Sequence, residues 1–183
     1  MPSVAAQVDT SSRPLFGGSI VADLPAAWKD VSDFRQVPDN QEVFVSPDSD
    51  PQREASLIVE VLQRVDKDDL DQAVRFHFES IAHDNDAEES HVGRTWSFND
   101  TQRPILLSGT QLVKKFGKDS EPAKQVKIWV ALWRIEDKNV DLVMSVNVAG
   151  TEAEDQERGE DEVGRIFERA ARSLSIVDYG LFA

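Results

Sequence analysis

The clearest pattern in the chain is a pair of runs rich in β-branched and aromatic residues, 124–135 and 140–148. They are separated by Glu136-Asp137-Lys138-Asn139, so the pattern predicts a β-hairpin with a four-residue polar loop. Apolar side chains fall on both faces of these strands, which places them centrally in a sheet covered by helices on at least one side. Alternation also predicts a short strand over Ile20, Ala22 and Leu24 that ends at Pro25, because proline cannot donate to a sheet ladder. Gln41-Glu42-Val43-Phe44-Val45 reads as a further strand from its β-branched and aromatic content.

The stretch 56–65 allows a helix by composition, but its alternation favours a strand. Leu57, Val59, Val61 and Gln63 then share one face, with Ile58, Glu60 and Leu62 on the other. An acid between two apolar residues marks either an edge strand or a face that is only half covered. Residues 94–98 and 105–116 add strands, the second presenting Leu106, Ser108, Thr110 and Leu112 opposite Leu107, Gly109 and Gln111.

Two helices complete the pattern. Residues 68–83 carry Leu70, Ala73, Val74, Phe76, His77 and Ile81 as an apolar stripe, and Asp68 and Asp69 suit the N-terminus of its dipole. Val163, Ile166, Phe167, Ala170, Ala171 and Leu174 form a second stripe, with Arg165, Arg169 and Arg172 toward the C-terminal half. Before it, 151–162 holds seven acids and one base, read as a solvated approach to the helix. Residues 84–90 are an acidic loop, and the apolar ending 176–183 is expected to dock on the body. Residues 1–13 are polar and small, a flexible leader to a single domain over 14–183. The expected fold is α+β, an antiparallel sheet flanked by helices.

Composition narrows the function. The 20 Lys and Arg against 34 Asp and Glu give a net charge of -14, which disfavours nucleic acid and anionic lipid and favours a basic partner. Without cysteine there is no disulfide, thiol nucleophile or thiolate metal site, and nothing indicates an oxidising compartment. No secretory signal or membrane-spanning run is present, so nucleus and cytoplasm are expected.

Catalytic chemistry is mostly missing. Gly17-Gly18 lacks the lysine of a phosphate loop, and His77, His83 and His91 lack metal-ligand spacing. No serine sits in a nucleophile elbow, and the acidic runs 84–89 and 152–162 lack the regular carboxylate alternation around a glycine that makes a calcium loop. A recognition surface remains. Asp39 follows Pro38 in a turn that its side chain can cap, whereas Glu42, opening a strand, has no such local explanation. If strands 41–45 and 56–65 pair, Asp39, Glu42, Glu60 and Gln63 can fall in one patch. Read from the residues alone, these are ordinary solvent-facing positions.

Several segments resemble the Ran guanine-nucleotide release factor family: Pro14-Leu15-Phe16-Gly17-Gly18, Val37-Pro38-Asp39-Asn40-Gln41-Glu42-Val43-Phe44, Ser56-Leu57-Ile58-Val59-Glu60-Val61-Leu62 and Asp178-Tyr179-Gly180-Leu181-Phe182. The resemblance implies a fold similar to the extrinsic oxygen-evolving subunit of photosystem II. It also implies binding to the GTPase Ran, release of its nucleotide and support of nuclear protein import, by a monomer with no cofactor and no covalent catalysis. The family's acidic Ran-binding surface matches Asp39, Glu42, Glu60 and Gln63, the last a departure where an acid is expected. The alternative is a module that binds Ran or another transport factor without releasing nucleotide; an unrecognised small-molecule binder or hydrolase of similar fold would need an enclosed pocket.

Overall fold

A computed structural model of the protein describes residues 8–47, 54–98, 104–114, 121–149 and 153–183, with side chains omitted over 153–161. Residues 1–7, most of the loop 46–54 and most of the polar turn 117–123 lie outside the described residues. The strands are β1 (Thr10–Leu15), β2 (Ile20–Pro25), β3 (Lys29–Asp30), β4 (Gln41–Val45), β5 (Ala55–Gln63), β6 (Glu89–Ser97), β7 (Ile105–Val113), β8 (Lys124–Ile135), β9 (Val140–Ala149) and β10 (Ser175–Ile176). The helices are α1 (Leu70–Asp84) and α2 (Ala153–Ser173). A seven-stranded antiparallel sheet runs β3-β4-β5-β9-β8-β7-β6, and a small sheet runs β1-β2-β10.

The expected hairpin forms from β8 and β9, with Asn139 in a left-handed conformation closing its loop. Asparagine tolerates that region better than most residues, since its short polar side chain bonds locally. Both faces of the hairpin are buried, as its double-sided apolar content requires. On one face Ile128, Val130, Leu132 and Val143 pack with Ala73, Val74 and Phe78 of α1. On the other, Trp129, Ala131, Leu142, Met144 and Val146 join Ile166, Phe167 and Ala170 of α2, together with Ile20, Ala22 and Leu24 of β2.

Several expectations need correction. The leader ends earlier: Thr10 to Arg13 belong to β1, held by pairing with β2 and by Arg13 Nη1 donating to the Trp28 carbonyl at 2.6 Å. Strand β6 begins at Glu89, inside the expected acidic loop. The backbone of α2 is already helical from Ala153, so the acidic run is part of the helix. In α1, Phe78 is buried while Phe76 is 46% exposed, so the stripe passes through 78. Strand β5 is interior, between β4 and β9, and the half-covered face is the correct alternative: Ile58, Glu60 and Leu62 are partly exposed on the α1 side.

Helix α1 seats tightly on β7 at Gly109. A methyl group there would lie 2.5 Å from Phe78 Cζ and 2.5 Å from the His91 carbonyl oxygen, on the neighbouring strand. Gly109→Ala is therefore expected to cost about 3 kcal/mol, the upper end of overpacking penalties, because one obstacle is backbone. Urea unfolding measures it; an unchanged midpoint would show that α1 can move aside.

A candidate partner-binding rim on strands β4 and β5

Strands β4 and β5 do pair, with Gln41 opposite Glu60 and Glu42 opposite Val59. That register decides the geometry. Because side chains alternate along a strand, Gln41 and Glu60 point to the α1 face, whereas Glu42 points with Val59 to the α2 face. Gln63, two residues beyond Val61, lies on the Glu42 side at the end of β5 and is exposed. The four expected residues thus share one corner of the sheet but divide between its faces.

Asp39 stands in the turn entering β4. The Gln41 N–H donates to the Pro38 carbonyl at 2.9 Å, and the Val61 N–H donates to the Asn40 carbonyl at 2.9 Å. Backbone bonds therefore close this turn. The Asp39 carboxylate, expected as a turn cap, has no protein partner among the described residues and is exposed. Beside it, Gln41 Nε2 donates to Glu60 Oε1 at 2.6 Å, which fixes the carboxylate's direction. Burial pushes the Glu60 carboxyl above its ordinary value; the Gln41 bond opposes that shift, the Asp84 charge adds to it and His77 works against it. Gln41 and Asp84 are thus parts of the Glu60 environment that the sequence reading missed, since only the register and the lie of α1 bring them there.

Glu42 has the structural partner that it lacked in sequence. The Phe16 N–H donates to Glu42 Oε1 at 2.6 Å. Phe16, Gly17 and Gly18 all have positive φ, at 50°, 64° and 94°, so the backbone there turns sharply and its donor needs an outside acceptor. Burial raises the Glu42 carboxyl above its ordinary value, the Phe16 bond lowers it and Asp30 raises it. Glu42→Ala is expected to cost about 1–3 kcal/mol by orphaning that N–H, while Glu42→Gln keeps an acceptor and should melt close to wild type. Equal loss from both variants would show that the charge, not the acceptor, matters.

The match to known proteins follows this architecture from β1 to β9. Residues 13–149 match the family model described as Ran-interacting Mog1 protein. The chain belongs to the Mog1 family. A Mog1 relative from Danio rerio, named Ran guanine nucleotide release factor, is 35% identical over 74% of this chain and 76% of its own length. One from Schizosaccharomyces pombe, named nuclear import protein mog1, is 32% identical over 92% of this chain and 98% of its own. The crystal structure of the Saccharomyces cerevisiae Ran-binding protein Mog1p superposes with a TM-score of 0.81 at 28% identity, covering 97% of this chain and all of that one. The cyanobacterial PsbP of Synechocystis shares the Mog1 fold alone, with a TM-score of 0.52 at 10% identity over 94% of this chain and 95% of that one. That likeness agrees with the fold expected from the photosystem resemblance.

Proposed function

We propose that this chain binds Ran and promotes release of its guanine nucleotide, supporting nuclear protein import. The observation that carries the reading is the family match over 137 residues, 13–149, to proteins named for Ran and for nuclear import. The rim supplies a physical means. Asp39 and Glu60 present acceptors at the β4–β5 corner, suited to lysines or arginines that otherwise hold phosphates. If the chain prefers nucleotide-free Ran, linkage requires that its binding weaken nucleotide affinity by the same factor. The process needs no covalent step and no cofactor, and the chain acts as a monomer in nucleus and cytoplasm.

The test is the off-rate of fluorescent GDP and GTP from purified Ran as this protein is added. Dose-dependent acceleration supports the reading. Binding without acceleration reduces the chain to a Ran-binding module, and absence of binding overturns the proposal.

A further inference from the structure

On the α2 face, at the opposite side of the large sheet from β4, lies a groove of about 460 Å³ between α2 and strands β6 to β8. Its chemistry contrasts with the rest of the molecule. Arg94, Lys127 and Arg165 line it against a single carboxylate, Glu168, in a chain whose net charge is -14. Neither Arg94 nor Lys127 has a carboxylate partner among the described residues; each lies over an indole ring instead. The Arg94 guanidinium is 4.2 Å from the Trp96 centroid, and the Lys127 ammonium is 5.8 Å from the Trp129 centroid.

The walls hold this arrangement in place. Trp129 is 7% exposed and packs against Gly164 of α2, where an added methyl would already touch the ring at 3.4 Å. The Trp129 indole N–H and the Ser108 hydroxyl have no hydrogen-bond partner within the described protein, and both residues line the groove. Two cations with no carboxylate partner and two donors with no hydrogen-bond partner among the described residues, together with two indoles, therefore line one open cleft.

We propose that this groove docks an acidic peptide segment of a second protein partner, with carboxylates on Arg94 and Lys127 and an apolar side chain against the tryptophans. Charge complementarity selects such an occupant. The net charge of -14 works against the approach of acidic chains, so a local cluster of Arg94, Lys127 and Arg165 is a place where such a chain gains by approaching. The unpaired donors fit carboxylate and carbonyl oxygens, and the indoles keep their apolar edges for a leucine or phenylalanine. Strands β4 and β7 are four strand spacings apart, roughly 19 Å, and the groove and Glu60 lie on opposite faces. Both sites can therefore be filled at once, and the groove would let the chain connect the partner at its acidic rim to another protein.

The test is fluorescence anisotropy of a dye-labelled peptide of glutamates interrupted by leucine, titrated with the full chain. Saturable binding is expected, weakened by added salt and weakened about tenfold or more by Arg94→Glu with Lys127→Glu. Thermal melting followed by circular dichroism checks that this variant is folded; if it is not, Arg94→Gln with Lys127→Gln takes its place and the same loss is expected. Reversing Asp39 and Glu60 to lysine should leave peptide binding intact, which separates the groove from the Ran reading. No saturable binding overturns the proposal, as do equal binding of the matching lysine peptide and unchanged affinity in the folded groove variant. Displacement of the peptide by equimolar GDP or inorganic phosphate would likewise overturn it, by showing a small-anion site.

Discussion

Asp141→Ala is expected to lose about 3–5 kcal/mol of folding stability, the cost of leaving one member of a buried ion pair without its counter-charge. Asp141 and Arg134 face each other across the β8–β9 hairpin, and both are almost wholly buried, at 0% and 1% exposure. Arg134 Nε donates to Asp141 Oδ1 at 2.8 Å and Nη2 donates to Oδ2 at 2.9 Å, a two-pronged pairing. His77 Nε2 is 2.8 Å from Oδ2, and because an ionised carboxylate only accepts, that nitrogen carries the hydrogen. The Val65 N–H completes the set at 3.1 Å. Arg134 also donates to the carbonyls of Lys67 and Val65. One carboxylate thus ties the central hairpin, the 64–69 connection and α1 together. Removing it strands a guanidinium and a histidine donor in the interior.

The same cluster sets the acid limit of the fold. Burial works to raise the Asp141 carboxyl, but the bonds from His77, Arg134 and Val65 outweigh it and hold the group well below the usual carboxylate range. A carboxyl lowered in the folded state contributes stability above its unfolded value, about 3.9, and that contribution is lost as pH falls toward the folded value. Wild type is therefore expected to show a steep acid limb below about pH 4, and Asp141→Asn a lower plateau with a shallower limb. Urea midpoints measured across pH read this directly; parallel curves for the two proteins would remove Asp141 as the source.

What the sequence made legible was local. The β8–β9 hairpin follows from adjacent runs and a polar break, so its limits could be read residue by residue apart from the last. Strand β1 could not, because Thr10, Ser11, Ser12 and Arg13 show no apolar alternation; their order comes from β2 and from Arg13 reaching Trp28 and lying 4.8 Å from the Phe44 ring centroid. The rim residues were legible as polar exceptions in strands, but not as a divided set. Dividing them required the register that puts Gln41 against Glu60, and a one-residue slip would reverse every assignment. Glu42 looked unexplained because the donor it serves lies at Phe16, in a turn whose shape no spacing reveals. The groove beside α2 was equally hidden, since Arg94, Lys127 and Arg165 come from three separate elements.

That division yields the decisive functional comparison. Asp39→Lys with Glu60→Lys is expected to cut the acceleration of nucleotide release from Ran by about thirtyfold to several thousandfold, given roughly 2–5 kcal/mol for breaking hydrogen-bonded charge pairs at an interface. Asp39 contributes most directly, since its exposed carboxylate has no competing partner among the described residues. Glu60 is pre-aimed by Gln41 and partly shielded, so its charge acts in a less aqueous setting. A lysine there would also lose the Gln41 donor, so Glu60→Gln with Asp39→Asn serves as the gentler pair and should weaken release in the same direction. Glu42→Gln keeps the Phe16 turn, faces the other side of the sheet and should release nucleotide like wild type. The reverse outcome, with Glu42→Gln inactive and the Asp39 and Glu60 variants fully active and folded, would move the contact to the α2 face. Loss in all three with unchanged melting would instead mean that Ran wraps the sheet corner and reads both faces at once.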